Sequence, residues 1–433
     1  MSEQRFLTGS REQAFLLPPD MREWLPADHL VWVVCEAVNR LDFSAFEREY
    51  REDGQGRPAY DPRLMATLLL YAYAVGERSS RAIERRCRED VGFRVAACGL
   101  QPDHVTIARF RRRHGEALVG LFSGVLALCA EAGLVRVGVV AIDGTGIRAD
   151  ANKDRFCDDD ALSEEARRLL AEAESEDARE DALAAEEQAA LRGLLPAGFA
   201  SEQERRVRLD EAAQQLGGEP QPAEDPPAVE RAKSQTAKAR GRALASARRG
   251  RRNRTDPDSR VLRTRAGFIQ GYNAQVAVCE SHVILACAVS QDNGDNRLLQ
   301  PMVRRTEETL QAAGATEAPR LYLADGGYWS GAGVEELEAE GRRLLVRPNG
   351  RPRTRGRPAS GPVAKMERRL ARAPNKRRYR RRQALVEPVI AQLKHLRRLE
   401  RLLLRGLGGA EVEWTLACAA HSLTRLARVQ AAA

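Results

Sequence analysis

Apolar and polar positions change their spacing along the 433 residues, and the changes divide the chain into three regions. Up to about residue 130 the spacing is helical. Residues 64–75 (LMATLLLYAYAV) read as a buried helix stopped by Gly76. Ser79 and Ser80 are placed to cap a helix over 81–88, with Ala82, Ile83 and Cys87 on one face. After Gly99 and Pro102 comes DHVTIARFRRRH, in which Val105, Ala108 and Phe110 are expected inward. Thr106, Arg109, Arg112 and Arg113 are then expected outward.

From Leu134 the pattern turns to strands. LVRVGVVAID (134–143) is an apolar run that ends on Asp143. GYNAQVAV (271–278) and HVILACAVS (282–290) predict a hairpin with Glu280 and Ser281 at its turn. A helix over 296–311, a strand over 321–325, a helix over 333–340 and a strand over 343–348 follow. A long amphipathic helix over 386–404 closes the series. This order predicts a mixed α/β sheet. Between the first strand and the hairpin, residues 148–265 read as an insertion. Its first part (158–230) is rich in Ala, Glu, Leu and Arg, as helical hairpins are; 231–265 is basic and short of core residues, and is expected as a loop or poorly ordered helix.

Charge sharpens the picture. Lys and Arg number 70 against 61 Asp and Glu, a net of +9 that favours a polyanionic partner, nucleic acid before a membrane surface. Residues 158–230 carry a local net of −14, which leaves +23 for the rest. Residues 342–382 hold 17 basic side chains and one acidic one, Glu367, either a solvated surface or a phosphate-binding one. The helix bearing Thr106, Arg109 and Arg112 is likewise either the second helix of a helix-turn-helix-like unit or an Arg-rich surface helix. The eight cysteines show no CxxC pair and the six histidines no metal-ligand spacing, as in a reduced cytoplasmic protein. The polar start lacks a signal-peptide core, and the longest apolar stretch, 117–130, is too short to span a bilayer.

Three carboxylates stand where chemistry is expected. Asp143 closes an apolar strand and is followed by Gly144; Asp325 repeats the arrangement in LYLADGGYW. A carboxylate at the end of a buried strand must be paired, hydrated or metal-bound, although an Asp in a turn after a strand is common. Glu387, in LVEPVIAQLK, is followed by Pro388, which predicts that Glu387 sits at a helix entrance, either in the site or as a helix-dipole partner. Lys394 returns to the same helical face seven residues on. Trp329, beside Asp325, either stacks on an unpaired base or packs in the ordinary way.

The stretches VAIDGTGIRADANKD, DPDSRVLRTRAGFIQGYNAQVAV, YLADGGYWS and VEPVIAQLK…RRLERLLLRGL…EWTLACAAHSL resemble, in order, the core of the DDE transposases of bacterial insertion sequences. LPADHLVWVVCEAV, GRPAYDPRLMATLLLYAYAVG and PDHVTIARFRRRH resemble their N-terminal domain. The resemblance implies an α/β chain: a ribonuclease H-like mixed sheet over 131–433, a mainly helical DNA-binding domain over 1–130, and the charged helical insertion 148–265 after the first strand. It implies that Asp143, Asp325 and Glu387 are catalytic and bind Mg²⁺ or Mn²⁺, two ions in number. Lys394, Arg382, Lys376, Arg377 and Arg378 would contact DNA, with Thr106, Arg109 and Arg112 reading transposon ends. The partner would be double-stranded DNA, bound by a homodimer, without a membrane. Part of the family shows Tyr-x2-Arg-x3-Glu-x6-Lys; here Lys394 fits, while Tyr379 and Arg382 each miss by one residue. A DNA-binding protein that has lost catalysis, and a ribonuclease H-like nuclease that cuts without joining, are the alternatives.

Overall fold

The computed structural model describes residues 20–50, 59–151, 156–157, 252–264, 267–315, 317–349 and 361–431. The acidic stretch 158–230, expected as helical hairpins, lies outside these residues. Among the described residues seven α-helices come first: α1 (Leu30–Asn39), α2 (Ser44–Glu47), α3 (Pro62–Ala74), α4 (Ser80–Glu89), α5 (Val91–Ala96), α6 (His104–Arg113) and α7 (Gly115–Glu131). Local chemistry sets their limits. Pro62 opens α3 while the Asp61 carboxylate accepts the Arg63 N–H at 2.7 Å, and Gly76, at φ +80°, ends it. In α6, Asp103 accepts from the Thr106 backbone at 2.9 Å. The buried residues of α6 are Ile107, Phe110 and Arg111, where Val105, Ala108 and Phe110 were expected inward. The departure is chemical: Arg111 is kept inside by Tyr73, the Arg78 carbonyl and Ser80.

The strands are β1 (Val140–Arg148), β2 (Phe156–Cys157), β3 (Arg252–Asn253), β4 (Arg260–Thr264), β5 (Gly267–Val278), β6 (Ile284–Ser290), β7 (Tyr322–Ala324) and β8 (Leu344–Val346). The main sheet runs β4-β5-β1-β7-β8, with β6 also on β5. β1 is antiparallel to β5 and parallel to β7, and β7 is parallel to β8. The expected hairpin is present as β5–β6. β4 pairs with the first half of β5, so residues 260–264 are a strand and not the loop or disordered helix expected of that basic stretch. Its charges point away from the sheet at Arg263, while Leu262 is buried.

Among the described residues five further α-helices follow, α8 (Leu299–Ala312), α9 (Gly331–Ala339), α10 (Gly361–Ala371), α11 (Ala373–Ala391) and α12 (Gly406–Gln430), and all but α9 pack on strands of the sheet. α12 is buried along most of its length and packs against β6 on one side and α1, α3 and α7 on the other. One apolar core therefore runs without a break from the N-terminal helices into the sheet. Cys87, Cys129, Cys279, Cys287 and Cys418 are buried in it as thiols. No single helix among the described residues is long and apolar enough to cross a membrane.

Candidate active site

Register brings the first two carboxylates together. In the parallel β1–β7 pair Ile142 lies opposite Ala324, so the next residues, Asp143 and Asp325, leave the pair side by side. Asp143 does not end its strand, as the apolar run implied: β1 continues to Arg148, paired with β5 throughout. The second half of β1 is polar because it floors a cavity. That cavity, of about 790 Å³, is lined by Asp143, Asp325, Glu387, Asp295, Arg382 and Lys394 among others.

Asp143, Asp325 and Lys394 have identifiable anchors. Asp143 accepts from the Gly144 N–H at 2.9 Å and is bridged by Arg382 at 2.7 Å. Burial pushes its carboxyl up to about 6 against the pull of Arg382, and Asp325 adds to the rise. Asp325 caps the short turn Gly326–Tyr328 and accepts from the Gly327 N–H at 2.7 Å. Lys394 donates to the Gly146 carbonyl at 3.1 Å, and burial lowers its pKa.

Glu387 corrects a second expectation. It lies inside α11, which starts at Ala373, so Pro388 falls within the helix and not in its first turn. The run KRRYRRR concealed this start, because Lys and Arg are good helix formers without an apolar rhythm. One π turn, Gln392–Leu396, follows α11 and carries Lys394. On α11, Arg382 faces the site despite its displaced spacing and reaches Asp143, while Tyr379 is half-buried against the core and outside the cavity lining. Lys376, Arg377 and Arg378 lie exposed on the outer surface of the same helix, outside the cavity lining. Trp329 is partly buried and packs against the core.

Asp295 was not foreseen. It accepts from the Asn273 side chain at 2.9 Å and the Gln275 side chain at 3.0 Å. Gln275 in turn accepts from the Tyr328 hydroxyl, and burial among Asp295, Asp143 and Asp325 raises the Tyr328 pKa well above its usual value. This network explains the glycines after both aspartates. A Cβ on Gly144 would come within 2.2 Å of the Gln275 amide and 3.0 Å of Asp295. One on Gly327 would lie 3.2 Å from Asp295 and 2.9 Å from Asp325. The signal in the sequence was Asn273 and Gln275, two amides on one face of an otherwise apolar strand.

Thr106, Arg109 and Arg112 stand apart from this cavity, on α6. Arg109 is exposed and Arg112 half-buried, while the Thr106 hydroxyl donates to the capping Asp103 at 2.8 Å.

Residues 19–113 match the family model of a transposase domain (DUF772), and residues 248–423 match that of a transposase DDE domain. The chain belongs to the DDE transposases. No curated protein and no solved structure matches it. The transposase is thus a polynucleotidyl transferase with DNA as its substrate, of a family that generally depends on divalent metal. The DDE match includes Asp325 and Glu387 but begins after Asp143, which joins them through the β1–β7 register. As donors, the cavity offers carboxylate oxygens, the ligand chemistry of Mg²⁺ and Mn²⁺. No three acidic, histidine or cysteine groups among the described residues converge into a closed metal cage. Instead Arg382 supplies the positive charge at Asp143, where a cation would be stabilised.

Proposed function

We propose that this transposase cleaves phosphodiester bonds at the terminal inverted repeats of its insertion sequence and joins the freed 3′-hydroxyl to target DNA, with Asp143, Asp325 and Glu387 as its catalytic carboxylates. The observation that carries the reading is that these three residues, with Arg382 and Lys394, line one cavity although they lie far apart in the chain. Mg²⁺ or Mn²⁺, two ions held by Asp143, Asp325 and Glu387, would supply the charge that activates the attacking oxygen and stabilises the phosphate. The chain's own part is positional. Asp143 and Asp325 are fixed by backbone N–H groups on a rigid sheet. Arg382 exchanges Asp143 for a phosphate oxygen when DNA arrives, and Lys394 holds the neighbouring phosphate. Lys376, Arg377 and Arg378 steer the backbone along α11. Reading of the ends falls to the N-terminal domain through Arg109, with Thr106 and Arg112 beside it, and a homodimer pairs the two ends.

The test is a cleavage assay on duplex carrying the ends. Asp143→Ala, Asp325→Ala, Glu387→Ala and the corresponding Asn and Gln changes should each abolish cleavage while metal-free end binding persists. Cleavage at the wild-type rate by any of them would remove that residue from the triad. End binding by the wild type without cleavage in Mg²⁺ or Mn²⁺ would favour a DNA-binding protein that has lost catalysis.

A further inference from the structure

Helix α11 reaches a second hollow at its other end, of about 420 Å³, between edge strand β8, α10 and the start of α11. Leu321, Leu344 and Leu345 line its floor with their side chains almost wholly buried, and its rim carries Arg342, Arg343, Lys365, Arg369 and Arg372 beside Glu338. Three of the five cations are committed. Glu338 takes Lys365 at 2.6 Å and also Arg369, and Arg342 is bound by Glu307 at 2.7 Å and by Glu340. Arg343 and Arg372 are exposed and have no acidic partner among the described residues. The rim therefore presents uncompensated positive charge at Arg343 and Arg372, which fits the phosphate of a phosphodiester.

The two hollows share one helix face. Asn375 lines the second hollow and Arg382 the catalytic cavity, with Tyr379 between them. Seven residues of helix separate Asn375 from Arg382, about 10 Å, and Arg372 is about 15 Å from Arg382 along the axis. A DNA strand advances about 3.4 Å per nucleotide, so the span equals roughly three to five nucleotides. The exposed Arg378 lies on the same side of the helix, beside the path between.

We propose that this hollow is a second phosphate site, in which Arg343 and Arg372 hold the DNA backbone roughly three to five nucleotides from the phosphate cut in the catalytic cavity. It rests on the reading of the chain as an enzyme that cuts DNA ends. The contact reads no sequence; it fixes the register in which the scissile phosphate meets Asp143 and Asp325.

The experiment compares the full-length wild type with Arg343→Ala/Arg372→Ala, two exposed positions. End-bearing duplex is titrated over a range of KCl, and phosphate ethylation interference is mapped on the same duplex. The double variant should lower the magnitude of the slope of log K against log salt by about 2, one for each lost contact. Interference should vanish at phosphates three to five nucleotides from the cut and persist elsewhere. A slope and an interference pattern equal to those of the wild type would overturn the second site while leaving the enzyme reading intact. A wild type that binds the duplex without salt dependence and does not cut it in Mg²⁺ would overturn both.

Discussion

Arg382 and Asp143, 239 residues apart in sequence, meet at 2.7 Å with both side chains largely buried. The guanidinium neutralises a carboxylate whose burial would otherwise favour its protonated form. It therefore competes for that carboxylate with any bound cation. Arg382→Gln should tighten Mn²⁺ binding by roughly tenfold, equivalent to about 1.4 kcal/mol, while slowing cleavage at saturating metal because a phosphate ligand is lost. Protons compete in the same way, so Mn²⁺ affinity of the wild type should fall as the pH drops through about 6. Electron paramagnetic resonance of free Mn²⁺ reads both effects. Weaker Mn²⁺ binding in Arg382→Gln would show that the arginine builds the site and does not compete for it.

Asp295 should matter to the chemistry as well as to the fold. Asp295→Asn keeps the volume but gives the Asn273 and Gln275 amides a poorer acceptor. Because Asp295 lines the same cavity as Asp143, Asp325 and Glu387, a loss of about 10–100-fold in metal-dependent cleavage is expected, the usual cost of removing a polar group around a metal site. End binding without metal should be retained. Cleavage within a factor of two of the wild type would reduce Asp295 to a loop anchor.

The buried pair of Arg78 and Glu413 ties the N-terminal helices to the segment after Lys394. Arg78 reaches Glu413 at 3.1 Å and the carbonyls of Arg398 and Arg401 at 2.5 and 2.9 Å, while Glu413 accepts the backbone N–H groups of Leu403 and Leu404. Glu413→Ala leaves a buried cation and two backbone donors without their acceptor, and should cost about 3–5 kcal/mol. Urea unfolding measures it. A cost below about 1 kcal/mol would mean that water replaces the carboxylate.

His421 gives the fold a pH dependence. Its Nε2–H donates to the His282 carbonyl at 2.9 Å, and burial lowers its pKa to about 3. Below about 6.5 the unfolded chain binds a proton at this position that the folded chain refuses. Stability from this group is thus complete above about 6.5 and falls with decreasing pH, by up to about 1.4 kcal/mol per unit. His421→Gln should flatten the difference in unfolding free energy between pH 6.5 and 5. An unchanged slope would place the acid sensitivity in other groups.

The strands around the site were legible because apolar runs mark them, and Asp143 and Asp325 were legible as carboxylates at the edge of such runs. The continuation of β1 past Asp143 was not. A strand that floors a polar cavity loses its apolar rhythm at the point where function begins. α11 escaped for a related reason: seven consecutive polar residues look like surface, and only the tertiary structure shows Asn375, Tyr379 and Arg382 sharing a face. Arg382 was displaced by one residue from the family spacing, and the structure brings it to Asp143 regardless. Asp295 sits in DNGDN, which reads as a turn; its partners on β5 carried the only hint. The inward face of α6 was misjudged because Arg111 is buried by hydrogen bonds that no hydrophobic pattern encodes.

Because α12 is the layer on which α1, α3 and α7 rest, the order of synthesis bears on when the enzyme can work. A nascent chain that has reached only residue 400 has made every described N-terminal helix and all three carboxylates proposed for catalysis, yet the apolar faces that α12 covers are still open to water. The helices expected to grip DNA therefore complete their packing only as residues 406–430 leave the ribosome. A message cut short before that point yields no stable, catalytically silent competitor for the transposon ends.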